Sequence, residues 1–332
     1  MSKHVNKVTA AGLLVALGII YGDIGTSPLY VFNSIIKGRV VDETLILGTL
    51  SLIIWTITLL TTIKYVVMVL RADNRGEGGI FSLFALVRRR KKWLVIPAMI
   101  GGAALLSDGI ITPPISITSA IEGLKELPQF HDLSQNTIVY IVLGIIAIFF
   151  FAQQFGTSSI GKLFGPFMSV WFGMLAILGL VHLSDDFTIF RALNPYYGIR
   201  FLVTYPEGFW LLGAVFLCTT VAEALYSDLG HCGRGNIRIS WIFVKTCLLI
   251  NYFGQGASIL KHHSGKLLDK ATIDAEGINA FYDLMPNWFI VPGVIVATSA
   301  AIIASQAMVS GSFTLISEAI RLNLWPKLKI NY

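Results

Sequence analysis

Charge is scarce in this sequence. Asp, Glu, Lys and Arg make up 13% of its 332 residues, against about 25% in ordinary soluble domains. Hydrophobic residues reach 55%, which excludes a soluble globular domain and points to an all-α membrane protein. Cysteine is nearly absent. Cys218, Cys232 and Cys247 form neither a C-x-x-C pair nor a zinc spacing, so they are expected as free thiols without a redox duty. Catalytic signatures are missing too: there is no G-x-S-x-G, no P-loop and no H-E-x-x-H. The chain is therefore not expected to be an enzyme, and any uphill work must draw on an ion gradient. The formal charge of +6 comes from basic residues in loops, where they set topology. No basic groove interleaved with aromatics is present, so nucleic-acid binding is not expected. Lys3 and Lys7 precede the first apolar run without a small-residue cleavage site, and no signal peptide is read.

Long apolar runs are what the sequence does have. A helix of about 20 apolar residues crosses a bilayer. Eight runs qualify, at approximately 8–36, 45–70, 94–124, 137–155, 163–183, 207–229, 239–260 and 287–320. The first, third and last exceed a straight crossing, so tilt, a break or an extension must absorb the surplus. Loop 71–93 holds Arg71, Arg75, Arg88, Arg89, Arg90, Lys91 and Lys92. Lys and Arg mark the cytoplasmic side. That loop, the N-terminus, His231, Arg234 and Arg238, and then Arg321, Lys327 and Lys329 are read as inside. Loops 37–44, 125–136, 184–206 and 261–286, with a more even mix of charge, are read as outside.

Inside the first run stands "YGDIGTSPLY", residues 21–30. Glycine is costly in a helix and proline removes a backbone donor. The stretch is expected to unwind, which lipid does not tolerate unless protein or a watery cavity covers it. Freed carbonyls, the Thr26 and Ser27 hydroxyls and the Asp23 carboxylate would form an all-oxygen site for a weakly charged hard cation. Broken helices of this kind hold coupling ions in transporters, and an ionisable group inside a span is functional by default.

The third run contains "LSDGIITPPISITSAIEGL". Asp108, Thr112 and Ser116 recur every four residues and share a helical face, which Pro113 and Pro114 would bend. Glu122 is read as a solvated or vestibule residue. In the sixth run, "FLCTTVAEALYSDLG", Thr220 and Glu223 are expected to share a helical face, with Tyr226 on the same side. Polar groups midway along both the first and the sixth runs are what an inverted repeat would place there. Lys64 and Lys245 are read as reaching the inner interface, His182 as interfacial, and Ser305 with Gln306 as helix-packing groups. The loop "RADNRGEGGIFSL" is read as an elbow before an amphipathic helix.

The stretches "YGDIGTSPLY", "RADNRGEGGI", "DGIITPPIS", "AEALYSDLGH", "NYFGQGA" and "IASQA" resemble the bacterial Kup potassium uptake permeases of the KUP/HAK/KT family, over nearly the whole chain. That family is similar to carriers of the amino acid–polyamine–organocation superfamily. The resemblance implies a LeuT-like inverted-repeat bundle, multi-pass in the plasma membrane, with a cytoplasmic N-terminus. Residues 1–332 would be a transmembrane transport domain, with a first repeat at about 8–183 and an incomplete second at about 207–320. The family's core continues to ten helices, typically with two more and a cytoplasmic C-terminal domain. The chain is accordingly expected to be the N-terminal part, truncated after about eight spans.

Potassium import coupled to protons is the implied activity, with no bound cofactor. Potassium, protons and the bilayer are the implied partners, with a homodimer of the full-length protein. Residue by residue, the resemblance puts Asp23, Tyr30, Thr112, Ser116, Thr220 and Glu223 around potassium, with the metal itself at Asp23, Thr112 and Ser116. It assigns proton handling to Asp108 or Glu223. Potassium would shed water between the first, third and sixth spans. Two rivals stay open: an amino-acid or polyamine carrier, and a non-transporting fragment or sensor module. A channel would need a filter of the T-V-G-Y-G kind, which is absent.

Overall fold

The computed structural model describes residues 8–74, 76–87, 91–130, 133–153 and 161–326. Of the topological markers, Lys3, Lys7, Arg75, Arg88, Arg89, Arg90, Lys327 and Lys329 lie outside the described residues. The described chain is helical, with only isolated bridges at Val40–Leu267 and Asn74–Glu77. In order the helices are α1 (Ala10–Ile20), α2 (Gly22–Thr26), α3 (Val31–Ile36), α4 (Glu43–Thr56), α5 (Ile80–Val87), α6 (Val95–Glu122), α7 (Gln135–Gln153), α8 (Gly161–His182), α9 (Pro195–Thr204), α10 (Gly208–Phe216), α11 (Ala224–Ser227), α12 (Leu229–Cys232), α13 (Arg234–His263), α14 (Lys270–Glu276) and α15 (Ile290–Arg321). Short polar side chains start several of them: Thr9, Asp42, Asn194 and Asp269 each accept from a first-turn amide.

Among the described residues six stretches are long and apolar enough to cross a membrane: Glu43–Arg71, Lys92–Glu126, Leu163–His182, Gly208–Ser227, Arg234–His263 and Asn287–Arg321. The pair Ala10–Ile20 and Gly22–Leu29, bent by 68°, makes a seventh. These seven occupy seven of the eight expected runs. The remaining run, 137–155, is α7, whose apolar stretch Gln135–Ile148 falls short of a crossing. Residues 154–155 lie outside the described residues.

Two local expectations change. The first run does not unwind into coil. It bends at Tyr21, continues as α2, tightens into a 3₁₀ turn at Ser27–Leu29 and resumes as α3. Pro28 sits at the start of that turn, where its missing amide hydrogen costs nothing. Gly22 lets the bent piece press on α15: a Cβ there would stand 2.7 Å from the Ala304 Cα. The sixth span, expected as one helix, is the one that unwinds. After α10 a 3₁₀ turn at Leu217–Thr219 gives way to an extended Thr220 (ψ 132°), and Val221 takes a left-handed φ of 59°. Thr220 and Glu223 therefore do not share a helical face. In the third span, α6 runs through Pro113 and Pro114 as one helix.

The core lies where α1–α3, α4, α8, α13 and α15 converge, and it buries Tyr21, Ile24, Trp171, Trp241 and Tyr252. Ile100 and Ile110 of α6, Ile148 of α7 and Ile295 of α15 point outward, as suits a lipid-facing surface. The closest seam joins α8 to α13. A Cβ on Gly254 would meet the Gly179 Cα at 2.6 Å, and Asn251 Nδ2 donates to Leu175 O at 2.9 Å across the same seam. Small residues that let helix backbones touch replace the hydrophobic effect inside lipid.

The loops 38–41 and 265–268 pair by backbone hydrogen bonds on one face of the bundle. On that face Asp185 binds His182 Nδ1 at 2.6 Å and Lys261 Nζ at 2.8 Å, while His182 Nε2 lies 3.1 Å from Leu284 O. Burial alone would raise the Asp185 carboxyl, but the hydrogen bonds and charges of Lys261 and His182 outweigh it and hold the group below its usual range.

Gly254→Val overpacks the α8–α13 seam, at a cost of about 1–3 kcal/mol. A lower melting temperature of the purified protein in detergent is the expected outcome, and an unchanged one would contradict the contact. Because the folded value of Asp185 is depressed, its stabilising contribution is complete above the ordinary value of 3.8. It drains as pH falls through the lower folded value. Melting curves taken across the acid range should therefore show a smaller acid-dependent loss in Asp185→Asn than in the parent.

Candidate functional site

Two broken helices meet at mid-bundle. Ser27 Oγ, in the first break, donates to Leu217 O in the second at 3.0 Å. The carbonyls that the breaks release find donors in the protein. Thr26 Oγ1 and Ser27 Oγ donate to Asp23 O at 3.0 and 3.2 Å. Trp171 Nε1 donates to Gly25 O and Gln255 Nε2 to Pro28 O, both at 3.0 Å. In the sixth span Thr219 Oγ1 donates to Phe216 O at 3.0 Å, and Thr220 Oγ1 to Leu217 O at 2.6 Å. Several of the carbonyls expected to be unclaimed thus accept hydrogen bonds within the protein. Three buried side-chain oxygens nearby have no partner, Asp23 Oδ1, Gln255 Oε1 and Tyr252 OH, and of these Asp23, 4% exposed, is the carboxylate.

The third span brings its polar face to the same place. Thr112 Oγ1 donates to Asp108 Oδ1 at 2.5 Å, as the spacing of four predicts. Ser116 Oγ lies 3.4 Å from Thr26 Oγ1, and Tyr30 OH lies 3.2 Å from Ser27 Oγ. Asp23, Asp108 and Glu223 line one cavity of about 90 Å³, with Gly109, Val221 and Met308 in its wall. Tyr30, Thr112, Ser116 and Thr220 do not line it; they are tied to the groups that do or to the break beside it. Among the described residues no three His, Cys, Asp or Glu side chains cluster closely enough to hold a metal ion. The arrangement is one of separated carboxylates and hydroxyls around a small cavity, not a closed cage.

Other expectations resolve individually. Glu122 accepts from Gln135 Nε2 at 3.3 Å at the rim of a second, larger cavity of about 670 Å³. That is the vestibule reading. Lys64 is exposed and stands 4.8 Å from the Tyr65 ring centroid. Lys245 donates to Thr58 Oγ1 at 3.1 Å. Ser305 bonds back to Ala301 O within α15, as a packing group does. Tyr226 turns away from the carboxylates, and its hydroxyl donates to Ala72 O. Loop 72–79 leads, as expected, into a short apolar helix, α5.

Three residues that shape the site went unnoticed in the sequence: Trp171, Asn251 and Gln255. Gln255 and Asn251 are fully buried and bond to each other at 2.7 Å. Their signal was there to be read, since two amides four residues apart in an apolar run face the same neighbour. Trp171 carried no such signal, because its role depends on the carbonyl that the bend exposes.

A family profile described as "K+ potassium transporter integral membrane domain" matches residues 10–332. "Probable potassium transport system protein Kup" of Cytophaga hutchinsonii is 62% identical over 335 residues, covering 98% of this chain and 48% of that protein. The protein of the same name from Flavobacterium johnsoniae is 56% identical over 328 residues, covering 98% of this chain and 49% of that protein. One from Clostridium perfringens is 56% identical over 337 residues, covering 99% of this chain and 50% of that protein. The chain spans about half the length of the curated relatives it matches. No solved structure matches it. These relatives carry the names of transport proteins, not enzymes, and the chain belongs to the K+ potassium transporter family.

Proposed function

We propose that the protein takes part in potassium import, in symport with protons, through a site between the first, third and sixth spans. The observation that carries this reading is the buried, unpartnered Asp23 Oδ1 in a cavity shared with Asp108 and Glu223. A carboxylate kept from water and given no donor is a standing demand for a cation or a proton. Thr112 ties Asp108, and the hydroxyls of Thr26, Ser27 and Ser116 belong to the break beside the cavity. A monovalent cation, which sheds its water at modest cost, would offset the charge of the carboxylates gathered there.

The paired breaks in the first and sixth spans support a LeuT-like inverted repeat, with a first repeat at about 8–183 and a second beginning at about 207. The basic segment near Lys91 and Lys92 supports a cytoplasmic N-terminus in the plasma membrane. A cation and a proton compete for the same negative charge, so occupancy by one is coupled to release of the other. Asp108, held by Thr112, and Glu223, at the foot of the sixth-span break, are the carboxylates that would carry the proton. Potassium is the cargo, and the reading calls for no bound cofactor. Homodimerisation of the full-length protein remains part of the proposal.

Expressed from its complete coding sequence in potassium-uptake-deficient cells, the Asp23→Asn variant should lose Rb⁺ uptake by about 10- to 100-fold, the range for removing a hydrogen-bonding charged partner. Wild-type uptake in that variant would overturn the assignment, as would direct competition of amino acids with Rb⁺. Asp108→Asn should take up Rb⁺ at a rate that no longer rises as the external medium is acidified. A parental pH profile would remove Asp108 from the proton path.

A further inference from the structure

The cavity that begins at Asp23 ends at another carboxylate. Helix α15 contributes Met308, Ser312, Leu315 and Glu318 to its wall, residues three or four apart that form one helical face. Ser227 and Asp228, from the inner end of the sixth span, line it as well. Met308, Ser312 and Glu318 thus mark a path along α15 toward the face that carries loop 72–79. Glu318 sits half-buried in the last turn of α15, beside Arg321.

Loop 72–79, the unused motif "ADNRGEGG", covers this end. Asn74 and Glu77 exchange backbone hydrogen bonds at 2.9 and 3.1 Å. Arg234 anchors Asp73 at 3.2 Å, and the Tyr226 hydroxyl holds Ala72 O. Gly78 packs directly on the Tyr226 carbonyl, leaving no room for a side chain. Gly79, with a φ of 95°, places its α-carbon between two oxygens: a Cβ there would stand 3.7 Å from Glu318 Oε2 and 3.8 Å from Ser227 Oγ. The charges facing Glu318 are Glu77 from the loop and Arg321 from its own helix. At the other end of the same cavity, Asp23 Oδ1 is buried and without a partner.

We infer that Glu318, with the Ser227 hydroxyl beneath Gly79, is a second cation station, reached past Ser312 along the same cavity, through which a monovalent ion leaving Asp23 passes before release on the side of Gly78 and Gly79. The inference rests on reading Asp23 as the cation's ligand. It adds an exit route past Gly78 and Gly79. A station on the exit path governs turnover more than capture of external ion.

In the protein expressed from its complete coding sequence, Glu318→Gln should lower maximal Rb⁺ uptake about tenfold, with less than a twofold change in the half-saturating external Rb⁺ concentration. Glu318→Asp should keep most of the rate. In inside-out vesicles, Ser312→Cys should react with an impermeant cationic methanethiosulfonate above the parent's background, and Rb⁺ should slow that reaction. The three cysteines of this chain are buried, and the parent's own reaction is subtracted as background. Parental uptake in Glu318→Gln, or a Ser312→Cys that reacts only from the outside, overturns the inference. If Glu318→Gln fails to accumulate, the Ser312→Cys labelling decides alone. A parent that takes up no Rb⁺ sinks the potassium reading instead, whereas a parent that transports while Glu318→Gln matches it sinks only the exit station.

Discussion

Inside a bilayer a backbone carbonyl that leaves its helix has no water to turn to, and this constraint organises the centre of the protein. An unsatisfied group there costs several kcal/mol. Two helices break nonetheless, and they break toward each other. Ser27 Oγ answers Leu217 O across the gap, while Trp171 and Gln255 reach in from α8 and α13 to answer Gly25 O and Pro28 O. The left-handed Val221 adds about 1–3 kcal/mol of strain for a β-branched side chain. Neither break is stable by itself. Each depends on donors that exist only when the other helices are in place, so the breaks belong to the assembled bundle and not to either helix alone.

Satisfying the carbonyls internally changes what the site can offer a ligand. Several amide oxygens become part of the scaffold, and the chemistry passes to side chains: one carboxylate oxygen without a donor, four more carboxylates along the same cavity, and the hydroxyls of Ser227, Ser312 and Thr314 in its wall. The cavity of about 90 Å³ admits a few water-sized occupants. On the proposed reading, an ion there is held by charge and partial hydration, and it is not locked in a rigid shell. Such a site binds loosely enough to let go, which a carrier needs as much as it needs to bind.

The sequence was legible where the cause of a structure is local. Gly22, Gly25 and Pro28 announce a break between residues 21 and 30 because their effect on backbone geometry needs no neighbour, although the helix bends and tightens there where open coil was expected. The Asp108–Thr112 bond follows from a spacing of four. The sixth-span break was not legible, since "CTTVAEAL" holds neither glycine nor proline and reads as helix. One contribution is tertiary, since Ser27 from the first span claims Leu217 O, while Thr219 and Thr220 turn back locally onto Phe216 O and Leu217 O. For the same reason Thr220 and Glu223 reach the site by way of a turn, not along a shared face. Trp171 was not legible as a carbonyl donor because nothing in an apolar helix says which bent segment it will meet, whereas the four-residue spacing of Asn251 and Gln255 does mark a shared face.

The two cavities lie toward opposite ends of α6, which lends Asp108 and Gly109 to one and Glu122 to the other. Asn33 Nδ2 bonds to Asn279 Oδ1 at 3.1 Å, Tyr282 OH to Ala120 O at 2.8 Å, and Ser27 Oγ to both Tyr30 OH and Leu217 O. These are side-chain bonds between separate elements, each worth about 1 kcal/mol net. A layer held by a few such bonds can be exchanged for another at a cost that binding one ion can supply. The α8–α13 seam, by contrast, is backbone on backbone through Gly179 and Gly254 and cannot slide without steric conflict. On the proposed reading the division of labour follows from that difference. The glycine seam stays rigid, and the bonded layer around Ser27 and Asn33 is where access changes sides.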